Sequence, residues 1–116
     1  DAKMGWGDLY EEALVGLHAQ LAKDLQRNPQ KMTFVIGRLS DFDMSNKKYP
    51  HWKKVRLAQI KVANSNPKYF WVDTDDLNDG LNRKGKQITN DLHYSAEGYK
   101  ILGKRFAQAC LIAIGK

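Results

Sequence analysis

Asp91 and His93 stand two positions apart on one short stretch, between Asn90 and Ser95 and just ahead of a segment with helical periodicity. A carboxylate and an imidazole held on one turn form the acid–base half of a serine hydrolase. The carboxylate orients the ring and stabilises its charged form, and the ring takes a proton from a hydroxyl nucleophile. The nucleophile is harder to find. The serines are Ser40, Ser45, Ser65 and Ser95. Ser40 follows an apolar run and Gly37, but the Gly-x-Ser-x-Gly pattern of a nucleophile elbow is absent. Ser65 lies in the turn-forming run Asn64-Ser65-Asn66-Pro67, and Ser95 is placed to cap a helix. The expectation is a base whose serine is not in this chain.

Two other clusters invite a metal. The run Asp73-Thr74-Asp75-Asp76-Leu77-Asn78-Asp79-Gly80 is acidic, but its fifth position is Leu77 and no glutamate stands at the twelfth, so the EF-hand spacing fails. It reads as a loop tied down by Asx hydrogen bonds. Three scattered histidines and one cysteine give no zinc constellation. No metal and no organic cofactor is expected.

The elements that must position Asp91 and His93 follow from periodicity. Tyr10, Leu14, Leu17, Leu21 and Leu25 predict an amphipathic helix over about 9–25, capped by Asp8 and ended by Asn28-Pro29. Thr33-Phe34-Val35-Ile36, closed by Gly37, reads as a buried strand. A polar loop from Arg38 to Tyr49 leads to a second helix that starts near Pro50 and runs to about Ala63. Its inward stripe is Trp52, Val55, Ala58 or Gln59, and Val62. Tyr69-Phe70-Trp71-Val72 is the second strand, and Asp73 to Thr89 a second long loop. Ser95 opens a last helix with the stripe Tyr99, Leu102, Phe106, Ala109, Cys110 and Ala113.

The order helix-strand-helix-strand-helix predicts a parallel α/β layered fold. Two strands make a poor parallel sheet, so further strands are expected ahead of Asp1 or from another chain. In such folds the functional crevice lies beyond the carboxyl ends of the strands. Both long loops and the His93 segment fall there.

At 116 residues the chain reads as a single domain, 1–116, with 42% apolar and 28% charged residues, as in an ordinary soluble protein. No apolar run approaches the ~20 residues of a membrane span, so no membrane association is expected. The first residue is Asp1, not methionine, which fits processing or a portion of a longer chain. Cys110 is expected as a buried, inert thiol, and a lone cysteine leaves the compartment, secreted or periplasmic among them, undecided. The net charge of +6 concentrates in Lys47, Lys48, Lys53, Lys54, Arg56, Lys61 and Lys68. Without a nucleic-acid-binding motif, this reads as a solvated helix face, and no nucleic-acid partner is expected.

The pattern Asp-Leu-His-Tyr-Ser-x-x-Gly-Tyr, completed by Leu102, Gly103, Arg105 and Ala107, resembles the last sequence block of the SGNH or GDSL-type hydrolases. The nearest branch is that of the sialate O-acetylesterases and acetylxylan esterases. Phe34 to Leu39, Val55 to Gln59 and Val72 to Leu77 are similar to the intervening segments of that group, and Asp1-Ala2 to the end of an earlier block. The resemblance covers nearly the whole chain. It implies the C-terminal portion of a three-layer α/β/α sandwich with a parallel, flavodoxin-like sheet. The nucleophilic serine and part of the oxyanion hole would lie in an N-terminal half outside this chain.

By that resemblance the substrate is an acetylated carbohydrate and His93 is the base. The family keeps its acid three residues before the histidine, where this chain has Asn90. An asparagine can accept a hydrogen bond from Nδ1 but does not stabilise imidazolium as a carboxylate does. Either Asp91 takes over, or Asp73, Asp75 or Asp76 reaches in, or the base works in a weak dyad; Asp91 is the preferred choice. Arg38, Asp41 and Asp43 either bind sugar hydroxyls at the rim or form an exposed polar loop. Trp52 and Trp71 are assigned to the core and Trp6, between two glycines, to the surface.

Overall fold

Two four-residue apolar runs form the centre of the molecule. In the computed structural model, which describes residues 1–115, strand β1 (Phe34–Gly37) pairs with β2 (Tyr69–Val72) in parallel, Phe34 opposite Tyr69 and Gly37 opposite Val72. Alternation sends Phe34, Ile36, Tyr69 and Trp71 to one face of the sheet and Val35, Gly37, Phe70 and Val72 to the other. On the first face Ile36 meets Val62 and Ala63 of helix α2 (Trp52–Asn64), with Leu14 of helix α1 (Gly7–Asp24) packed against them. On the second face lies helix α3 (Ala96–Ile114), whose Phe106 comes so close that a Cβ at Gly37 would stand 2.8 Å from its ring. The fold is thus mixed α/β, with helices on both faces of a small parallel sheet.

Helix α2 buries the predicted stripe, Trp52, Val55, Ala58, Gln59 and Val62, together with Arg56 and Ala63. Pro50 lies in the turn just before it, and His51 occupies the cap position. The Gln59 amide joins three elements. Its oxygen accepts from the Leu39 amide at 2.8 Å, and its nitrogen donates to the Tyr10 hydroxyl at 3.1 Å.

Helix α1 departs from expectation in two ways. It starts at Gly7 behind Trp6 without a side-chain cap, and Asp8 lies inside its first turn, paired with Lys54 of α2 at 2.7 Å. Its buried positions are Gly7, His18 and Ala22, while Leu17, Leu21 and Leu25 are exposed. Contact with α2 explains the rotation. Gly7 fits against the His51 ring and donates its N–H to Nδ1 at 2.9 Å, a fit a Cβ would prevent at 2.7 Å. That contact, with the Lys54–Asp8 and Lys61–Glu11 pairs, turns the small residues inward. Two residues of the basic stretch on α2, Lys54 and Lys61, therefore face acidic side chains of α1.

His18 fills the space that the leucines were expected to fill. Its Nε2 lies 3.1 Å from the Met32 carbonyl and its Nδ1 2.8 Å from the Tyr69 hydroxyl. A carbonyl only accepts, so Nε2 carries the proton and Tyr69 donates to Nδ1. Burial pushes the Tyr69 hydroxyl above its usual pKa.

The second long loop contains structure of its own. Gly80–Leu81 (β3) and Gln87–Ile88 (β4) form a short antiparallel hairpin. Asn82 closes it, its Oδ1 accepting from the Lys84 and Lys86 amides at 2.9 and 3.0 Å, and Gly85 supplies the positive φ of 76°. Strands of two residues carry too little alternation to be seen as strands in sequence. Cys110 is exposed rather than buried, because α3 meets the sheet along Phe106, Ala109 and Ala113 and Cys110 falls to one side. Among the described residues no helix is long and apolar enough to cross a membrane.

Candidate active site

The parallel register places the ends of β1 and β2 side by side, and the loops leaving them are bound together at once. Thr74, fully buried, donates its hydroxyl to the Arg38 carbonyl at 2.7 Å. Arg38 pairs with Asp73 and, at 2.7 Å, with Asp75. Its guanidinium also lies over the Trp71 ring, 4.6 Å from the centroid. Arg56 of α2 holds Asp75 with two hydrogen bonds of 2.7 and 3.0 Å and donates to the Leu39 carbonyl. Arg105 of α3 holds Asp76 in the same way, at 2.6 and 2.7 Å, and reaches the Asp73 carbonyl at 2.9 Å.

Three arginines, from the end of β1, α2 and α3, thus pair with Asp73, Asp75 and Asp76. Burial raises the carboxyl pKa of Asp75, but the Arg56 hydrogen bonds and the charges of Arg56 and Arg38 outweigh it and hold the group below the usual range. The Arg105 hydrogen bonds do the same for Asp76. Asp73, Asp75 and Asp76 therefore spend their charge on arginines. Among the described residues no group of three His, Cys, Asp or Glu side chains is arranged to hold a metal.

The segment after Asp76 carries the histidine turn. Leu77 and Asn78 are buried, and the chain from 90 to 95 lies along them. The Asp91 amide donates to the Asn78 carbonyl at 3.2 Å, and the Asn78 side chain donates to the Asp91 carbonyl at 3.1 Å. The Ser95 amide reaches the Leu77 carbonyl at 2.8 Å, and Ser95 Oγ caps α3 by accepting from Gly98 at 2.9 Å. The cap is as expected from sequence.

On this support Asp91 folds an Asx turn, its Oδ1 accepting from the His93 amide at 2.8 Å. The same oxygen stands 3.6 Å from His93 Nδ1, and the two side chains are 40% and 73% exposed. That spacing suits an ion pair with a protonated ring, and a small rotation about the His93 side chain would close it to a hydrogen bond.

Asn90 has a different task. Its backbone is left-handed, φ 47°, and its amide donates to Asp79 Oδ1 at 2.7 Å. Its side-chain oxygen accepts from the Asp43 amide at 3.4 Å, which links the first loop to the second. Asp43 itself has a positive φ and accepts from the Ser45 hydroxyl at 2.8 Å, so its carboxylate shapes its own turn. Asp41 is half-buried, one carboxylate oxygen enclosed without a hydrogen-bond partner among the described residues.

Arg38 points inward to its acids. Asp43 is joined through its amide to Asn90, next to the His93 turn. The residues missed from sequence are Arg56, Asn78 and Asp79. Arg56 could have been found, since it shares the buried face of α2 with Trp52, Gln59 and Ala63.

Ser45 donates to Asp43, Ser65 to the Val62 carbonyl, and Ser95 serves the cap. Ser40 is buried, and Trp52 Nε1 donates to its carbonyl at 2.7 Å. Trp52 is thus a core residue and Trp6 an exposed one, as read from sequence; Trp71 is half-buried beneath Arg38. A surface groove of about 460 Å³ lies elsewhere, lined by Leu25, Arg27, Asn28, Lys31 and Met32. It holds cations but no acid–base pair.

A parallel α/β core with an acid–histidine turn beyond the ends of its strands defines the class to which this site is compared. The model of the family described as carbohydrate esterase, sialic acid-specific acetylesterase, matches residues 1–112, and the chain belongs to that family. Neither the curated proteins nor the solved structures contain a match to it.

Proposed function

We propose that this chain is the histidine-bearing portion of an SGNH-type serine esterase that removes acetyl groups from sugar hydroxyls. The observation that carries the reading is the Asp91–His93 turn, exposed at the rim and held on the buried Leu77–Asn78 segment. Family membership supplies the carbohydrate ester as the class of substrate.

A serine from a segment outside this chain attacks the acetyl carbonyl. Its Oγ–C bond forms as His93 takes the hydroxyl proton. Collapse of the tetrahedral intermediate breaks the bond to the sugar oxygen, which leaves with the proton from His93. Water, activated by the same ring, then releases acetate and restores the serine. Asp91 supports the imidazolium, and backbone amides of the absent segment hold the oxyanion, a contribution of about 3–4 kcal/mol in comparable sites. In this reading a substrate hydroxyl would be met by Asp43, whose amide is joined to Asn90.

The edge of β1 that faces away from β2 supports a larger three-layer sandwich. It has no strand partner among the described residues, and a two-stranded parallel sheet is an incomplete one. The same openness favours a second reading, a non-catalytic association unit. Trp6, Leu9, Leu17 and Leu21 are exposed along α1, an apolar row suited to a partner rather than to water.

Activity toward p-nitrophenyl acetate separates the two. The 116-residue chain alone is expected to match free imidazole, and a polypeptide extended to include the nucleophile is expected to exceed it and to label with a fluorophosphonate. An extended polypeptide that neither hydrolyses nor labels leaves the association unit as the better reading.

A further inference from the structure

We infer that Asn78 is a positioning residue that sets the conformation of the Asp91–His93 turn; the inference rests on the reading of His93 as the base. Asn78 is 1% exposed and contacts Asp91 twice. Its carbonyl accepts from the Asp91 amide at 3.2 Å, and its side-chain amide donates to the Asp91 carbonyl at 3.1 Å. The peptide units on both sides of the Asp91 Cα are thus fixed by one buried residue. The carboxylate that faces His93 grows from that Cα. Its reach to the His93 amide, 2.8 Å, and to Nδ1, 3.6 Å, depends on where those peptides lie.

The other anchors of the turn do not duplicate this. Asp79 holds the Asn90 amide, one residue earlier, and Leu77 holds the Ser95 amide, beyond the histidine. Both of these partners are less constrained by the turn itself: Asp79 acts through an exposed carboxylate contact, and Leu77 through a carbonyl that any residue would supply. Among the described anchors of the turn, Asn78 is the one that combines burial with a side-chain donor aimed at it. A donor is required there, because the Asp91 carbonyl faces it from within the protein, and an acceptor in its place would leave two oxygens opposed.

The local consequence is read by amide hydrogen exchange on this chain. Asn78→Asp keeps the shape and exchanges the donor for an acceptor; Asn78→Ala removes it. In either variant the Asp91 and His93 amides are expected to exchange about tenfold faster, beyond any change shared with the amides of Phe34–Gly37 and Tyr69–Val72. An equal acceleration at the strands and the turn, or none at the turn, would mean a merely structural asparagine and would overturn the inference. Should both variants fail to fold, the unmodified chain still decides. One Asn78 side-chain amide proton must exchange in step with the Asp91 amide, and exchange at the rate of a free side chain sinks the proposal.

A kinetic arm uses the polypeptide that carries the nucleophile. Asn78→Asp is expected to lower kcat by at least tenfold with KM within twofold, because the ring is misplaced and the substrate contacts are not. A rise in KM with unchanged kcat would count against positioning. If His93→Ala is fully active, the reading of His93 as the base fails, while the exchange result on Asn78 stands by itself.

Discussion

Gly98 carries the first turn of α3 so close to Leu77 that a Cβ on Gly98 would stand 2.1 Å from the Leu77 carbonyl oxygen. The same carbonyl accepts from the Ser95 amide at 2.8 Å. Backbone cannot yield there as a flexible side chain would, so helix and loop must part if the position gains a methyl group. Gly98→Ala is expected to destabilise the chain by about 2–4 kcal/mol, against a typical single-substitution effect near 1. Gly103→Ala, where nothing stands within 4 Å of the built Cβ, should instead be neutral or stabilising. Urea unfolding of the two variants checks both, and equal midpoints would refute the close contact.

Asn90 and Asp91 are separable by choosing the substitution to suit the backbone. Asn90 is left-handed at φ 47°, so alanine there would add strain that glycine does not. In a polypeptide carrying the nucleophile, Asn90→Gly is expected to change kcat by less than about threefold, since its side chain serves Asp43. Asp91→Ala is expected to lower kcat about a hundredfold or more. A comparable loss from Asn90→Gly would move the supporting role away from Asp91.

Acid should weaken the fold through Asp75 and Asp76. Their folded pKa values lie below the unfolded ones, so the folded state binds these protons less tightly. The stabilisation is complete above the unfolded value, about 3.9, and is lost as pH falls through the folded values. Asp75, less exposed than Asp76, is held by two arginines, Arg38 and Arg56, and Asp76 by Arg105. Asp75→Asn should therefore unfold at lower urea than wild type at pH 7, and the gap should shrink by pH 3. A gap that stays constant with pH would contradict the arginine pairing.

Cys110 is exposed on α3. The native chain is expected to react with a disulfide reagent within about tenfold of the rate for a free thiol. Protection relieved only by denaturant would place Cys110 back in the core.

Where one element's own residues determine its environment, the fold was legible in sequence. Tyr69 to Val72 is apolar throughout and lies between helices, half-buried except for the buried Val72, and Ser95 three residues before Gly98 has one good use, the cap it forms. The buried face of α1 was not legible in the same way. Its leucine stripe is the stronger signal, yet the fit of Gly7 on His51 and the pairs to Lys54 and Lys61 turn His18 and Ala22 inward. Likewise the acidic run could be recognised, but its arginines come from positions 38, 56 and 105, and only tertiary structure joins them. Asp91 and His93 were found as a pair because they are neighbours in the chain. Asn78 was not, because it reaches them from thirteen residues away.

The three-arginine clasp also has a consequence for the order of assembly. Arg38 leaves β1, Arg56 sits on α2 and Arg105 on α3, so the acidic loop has its full set of partners only once both layers of helices have docked. The Leu77–Asn78 segment that follows inherits this timing, and the histidine turn inherits it in its turn. A chain with one helix undocked would leave part of the acidic loop without its arginine, and the turn of Asp91 and His93 without its settled support.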